Sequence, residues 1–132
     1  MSPPQADAPA QRPDIQLVRV RSGIPTGDRI RILIDRLWPR GITKTALAAD
    51  VWLRDLAPST ELRKWFHHDP ERWDEFQTRY RTELDRNPDA VAEGLAWCRK
   101  GPVSFLHDVH EGVPNHASVL RDYLLERLER RD

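Results

Sequence analysis

The sequence predicts a single small α/β domain, with a mostly parallel sheet of few strands flanked by helices. Three observations carry that reading. Residues 30–34 and 103–106 form short, largely apolar runs of strand length. The segments between them show helical apolar spacing behind clear capping residues. The resulting order, β-β-α-α-α-α-β-α, places helices between strands, as a layered domain around a parallel sheet requires. At 132 residues the chain holds one core rather than two.

Residues 1–13, rich in Pro and Ala, read as a disordered leader before a domain spanning 14–132. Residues 15–20 alternate apolar and polar through Ile15, Leu17, Val18 and Val20, which predicts a first strand. Gly23, Pro25 and Gly27 mark a loop. The second strand covers 29–35: Ile30, Ile32 and Ile34 share one face, and Leu33 adds an apolar side chain to the other. Thr43 is a cap for a helix expected to run to about residue 52, with Leu47 and Val51 inward. Ser59 caps a segment ending near His67. Asp69-Pro70-Glu71 combines a capping Asp, Pro at the first helical position and an acid in the first turn. Behind it Trp73, Phe76, Tyr80 and Leu84 form one stripe, read as core. Asn87-Pro88 opens a helix marked by Val91, Leu95 and Cys98, and Gly101-Pro102 ends it. A third strand follows at 103–109. Asn115 caps the last helix, whose inner stripe is Val119, Leu120, Tyr123, Leu124 and Leu128.

Composition narrows the function classes. Lys+Arg and Asp+Glu are 21 each, so the net charge is zero, which argues against a general nucleic-acid binder. One cysteine, Cys98, precludes an internal disulfide and a Cys-rich metal site. No apolar run approaches the roughly 20 residues of a membrane span, and the N-terminus lacks a signal-peptide pattern. A cytoplasmic protein is expected.

The most informative stretch is Ile34-Asp35-Arg36-Leu37-Trp38-Pro39-Arg40-Gly41. It crowds three charges and a tryptophan onto the end of a buried strand, where α/β proteins build sites. The bland alternative is a turn carrying a surface ion pair. The five histidines, His67, His68, His107, His110 and His116, all lie near predicted element ends. Imidazoles arriving from separate elements suit iron or zinc, so a mononuclear metal site of His67, His107 and His116 is one expectation, with Asp35 or Asp108 as carboxylate. The competing expectation is a metal-free pocket for a small anionic or phosphate-bearing ligand. Arg36, Arg40, Arg63 and Lys64 would build it with the helix amides at Asn115, and Trp38 would line it. That pocket admits a hydrolase-type activity, with His116 as general acid/base and Asp35 beside it. A third reading stacks nucleobases on Trp38 and Trp65 and is disfavoured by the zero net charge. Cys98, on the apolar stripe of a predicted helix, and the serines lack a nucleophile's setting.

Four segments resemble the YeaO-like family of bacterial domains of unknown function, number 488 in that series. They are residues 32–41, residues 58–67, Phe76 with Tyr80 and Glu83-Leu84, and residues 115–120. The resemblance covers nearly everything from Ile15 onward and implies a small α/β domain, with no activity to carry over. Its polar positions are Asp35, Arg36, Trp38, Arg40, Arg63, His67, Tyr80, Glu83, Asn115 and His116. The third strand departs from the family's usual Leu-Leu-Tyr ending, since Phe105-Leu106-His107 stands there. His110 and Pro114 also depart from the pattern.

Overall fold

The computed structural model describes residues 13–24, 27–110 and 114–130; most of the expected leader lies outside them. Four parallel strands form the sheet: β1 (Ile15–Arg19), β2 (Ile30–Leu33), β3 (Val51–Trp52) and β4 (Val103–His107), in the spatial order β1-β4-β2-β3. The strand latest in sequence sits between the first two. It pairs Ile15 with Val103 through Arg19 with His107 on one side, and Ile30 with Val103 through Leu33 with Leu106 on the other. With neighbours on both edges and helices above, every residue of β4 is buried, as expected for a central parallel strand. Because all strands run the same way, Arg19, His107 and the residues after Leu33 emerge at one rim.

Alternation sorts the side chains into two cores. Ile32, Ile34, Val103 and Phe105 face the larger one with Tyr80, Leu120 and Leu124. That face is covered by α2 (Thr60–Phe66), α3 (Trp73–Asp85), α4 (Pro88–Cys98) and α5 (His116–Arg130). Leu33 and Leu106 face the smaller core with Val18, Val20 and Leu47, roofed by Trp38 and Trp52. The short helix α1 (Lys44–Leu47) supplies Leu47.

The expected helix over 43–52 is corrected. Thr43 does cap it, accepting from Ala46 N, but it ends at Leu47 because Ala48 turns left-handed at φ 53°. The β-branched Val51 and aromatic Trp52 then pair with Ile32 and Leu33 as an edge strand. Asp50 fixes the approach: its amide donates to Arg31 O at 2.7 Å, while its carboxylate accepts from Arg31 N at 2.8 Å. The capping expectations at Ser59 and Asp69 match the observed side-chain bonds to Leu62 N and Glu71 N. The latter opens a 3-10 turn, Pro70–Arg72, before α3. The third strand stops at His107 rather than 109, where Val109 N turns back to His107 Nδ1 at 3.2 Å.

Candidate functional site

At the carboxyl rim the strands give way to a cleft of about 810 Å³, walled by the 35–40 segment, the start and end of α2, residues 108–110 and the start of α5. Asp35 anchors it from below. Its Oδ2 accepts from Asp108 N at 2.9 Å. His116 Nε2 lies 3.1 Å from Ile34 O and 3.2 Å from Asp35 Oδ1. Both neighbours are acceptors, so Nε2 carries the proton. Its hydrogen bond goes to the carbonyl, leaving Oδ1 buried at ion-pair distance without a hydrogen bond of its own.

Arg36 turns the other way. Its Nε and Nη2 donate to Pro58 O and Ala57 O, each at 3.0 Å. Glu83 accepts from Ser59 N at 2.9 Å and Ser59 Oγ at 2.6 Å, and Ser59 Oγ accepts from Leu62 N. Buried Tyr80 donates to Leu56 O. These bonds clamp the entrance of α2, and the helix then carries Arg63, Lys64 and His67 to the cleft wall. Tyr80 and Glu83 thus hold the frame from behind.

Where α2 ends, His67 and His68 take φ values of 49° and 54° in succession. Left-handed backbone is uncommon outside glycine and costs on the order of 1 kcal/mol or more per residue. Here it turns both imidazoles into the cleft lining. Partial burial lowers the His68 pKa, and His67, Arg63, His110 and His116 lower it further. That imidazole therefore stands in a positive field. At the opposite wall Arg21 Nε lies 2.8 Å from Asp108 Oδ1, and Arg21 Nη2 donates to Arg40 O at 2.7 Å. Asn115 caps α5 by accepting from Ala117 N at 2.8 Å, so Pro114, Asn115 and His116 close the cleft.

The described lining carries Arg21, Arg36, Arg40, Arg63 and Lys64 against two carboxylates, Asp35 and Asp108. With histidines neutral, that is an excess of three positive charges. Both carboxylates are engaged within the protein. Arg40, Arg63 and Lys64 have no carboxylate partner among the described residues.

Asp35, Arg36, Trp38, Arg40, Arg63, His67, Asn115 and His116 all line this cleft. The expected third histidine does not: His107 is buried below the rim, and its Nδ1 is occupied by Val109 N. Burial lowers its pKa, His116 and Arg19 act in the same direction, and Asp35 and Asp108 oppose them. The expected convergence of His67, His107 and His116 on one ion is corrected accordingly. Among the described residues no three His, Cys, Asp or Glu side chains are grouped to hold a metal. The His116 nitrogen nearest Asp35 is spent on a carbonyl.

Trp38 donates to Ile42 O and packs edge-on against Trp52 at 5.5 Å, so its ring belongs to the smaller core. Trp65 lies beneath the guanidinium groups of Arg72 and Arg79. Neither ring is a bare stacking platform. Sequence reasoning missed Arg21, Leu37 and Trp52, whose Nε1 donates to Asp35 O at 2.7 Å. Arg21 was detectable by symmetry, because it follows the end of β1 as Asp35 follows the end of β2.

Among known proteins, the chain is 40% identical to the uncharacterized protein YeaO of Escherichia coli (strain K12), over 84% of its own length and 96% of that protein. It is 39% identical to the uncharacterized protein Rv3073c of Mycobacterium tuberculosis (strain ATCC 25618 / H37Rv), over 83% and 92% of the two chains. No solved structure matches it. A family model described as the inactive DUF488-N3 subclade matches residues 14–132. The chain therefore belongs to the YeaO-like DUF488 family, within the subclade described as inactive.

Proposed function

We propose that the cleft binds a small anionic ligand without a metal ion, as a binding site rather than a catalytic one. The observation that carries this reading is the charge balance of its wall: among the described residues, five cations face two carboxylates, each of which already has one oxygen bonded within the protein. Arg40, Arg63 and Lys64 supply charge, the entrance of α5 supplies amides, and guanidinium groups match phosphate or carboxylate oxygens bidentately. Arg36 contributes its charge from a guanidinium already held by two carbonyls. The subclade's description as inactive favours binding over turnover. His116 and Asp35 accordingly serve as a positioning pair, with the Nε2 proton held inward.

Inorganic phosphate is the first probe. A ligand that binds only the folded state at about a hundred times its Kd stabilises by roughly 2.7 kcal/mol. Phosphate also stabilises proteins nonspecifically, so the Arg63→Ala variant is the reference. The wild type should gain more than the variant from the same phosphate series. Elemental analysis of tag-free protein should find substoichiometric iron and zinc. Equal phosphate gains in both proteins would refute the anion reading, and one tightly held ion per chain would restore the metal one.

A further inference from the structure

We propose, resting on the anion-binding reading above, that the ligand is a phosphomonoester with an apolar body rather than a free inorganic anion. Three features of the cleft support this. Its volume of about 810 Å³ falls in the range of small-molecule pockets. At roughly 30 Å³ per water, a lone phosphate would leave most of that space to solvent.

The cleft is also two-sided in chemistry. Arg63, Lys64 and the paired histidines form a polar side, while Pro39, Phe66, Phe76, Val109 and Pro114 contribute apolar wall. Phe66 and Phe76 stack at 4.5 Å and are almost fully buried, so they make a rigid floor.

The third feature is Leu37. It is 62% exposed, the one large hydrophobic residue so exposed among the described residues, and it lines this cleft. A single exposed leucine is ordinary on a protein surface. Here, however, it stands between Arg36, tied to Ala57 and Pro58, and Trp38, tied to Ile42. Its neighbours fix its place at the mouth while its own side chain packs against little. A ligand body lying across the mouth would cover it. The excess of three positive charges on the described lining suits a phosphomonoester dianion.

The test compares phenyl phosphate with inorganic phosphate by calorimetry, on the wild type and on Leu37→Ser. Leu37 is exposed, so the variant keeps its fold. The wild type should bind phenyl phosphate about tenfold more tightly than inorganic phosphate, the worth of burying part of an aromatic ring. Leu37→Ser should lose several-fold of that preference while inorganic phosphate affinity stays unchanged. Equal affinity for the two probes would overturn this inference and leave the anion reading standing. A preference untouched by Leu37→Ser would overturn the placement of the body at the mouth. Binding of neither probe would remove the anion reading itself.

Discussion

At the amino-terminal rim of the sheet, Arg29 donates to both oxygens of Asp14, to Val103 O at 2.6 Å and to Ser104 Oγ at 3.2 Å. At the carboxyl rim, Arg40, Arg63 and Lys64 line an open cleft with no carboxylate opposite them among the described residues. Both rims use the same residue types. The difference lies in the pairing: at one rim Arg29 is matched by Asp14, and the other accumulates cations while turning its two carboxylates inward. A matched pair at a surface contributes little and asks for nothing more. An unmatched cluster in a concave wall raises the local potential and attracts counter-charge.

The largest expected effect separates the rims by stability. Asp35 holds Asp108 N and faces His116 behind the cleft, with 17% of its side chain exposed. Asp35→Ala should cost roughly 1.5–3 kcal/mol, because it leaves the part-buried Asp108 amide without its charged acceptor. Asp14→Ala removes the partner of Arg29 at a site where the carboxylate is 56% exposed, and should cost less than about 1 kcal/mol. Urea unfolding of both variants measures the contrast; similar losses would show that the rims do not differ as described.

Next is ligand affinity. Losing one charged hydrogen bond costs roughly 1.5–3 kcal/mol, so Arg63→Ala should weaken phosphate binding about ten- to a hundredfold. Its unfolding midpoint without ligand should barely move. Calorimetry reads the first quantity and urea titration the second.

A smaller effect concerns pH. His68 and His107 both have folded pKa values lowered from 6.5, chiefly by burial. The unfolded chain binds protons first as pH falls, so their stability contribution is complete above 6.5 and is lost between there and the folded values. Stability should drop as pH falls below 6.5, with a shallower drop in His68→Ala. Phosphate in the cleft should also flatten it, since a bound anion favours the imidazolium. A pH-independent midpoint would contradict this.

Much of the fold was legible because its signals are local. Ile32 against Leu33 announced a strand buried on both faces, and Ser59, Asp69 and Asn115 each cap the helix or turn they precede. Val51 and Trp52 were misread because their strand is two residues long, and only the neighbouring β2 makes it one. At the site, the 35–40 segment announced its location. The sequence did not show which histidines face the cleft. His107 and His116 are both near the rim, and the fold buries one and leaves the other at the lining through backbone bonds from Val109 and to Ile34. Spacing alone carries no trace of those bonds.

Counter-charge belongs at the carboxyl rim and not at the amino-terminal one. Residue-resolved NMR titration with inorganic phosphate at constant ionic strength tests it most directly. Saturable shifts are expected at the amides of Arg63, His67, His68 and Asn115, and none beyond the buffer effect at Asp14, Arg29 or Ser104. Shifts spread evenly over both rims, or confined to the Asp14–Arg29 end, would contradict it.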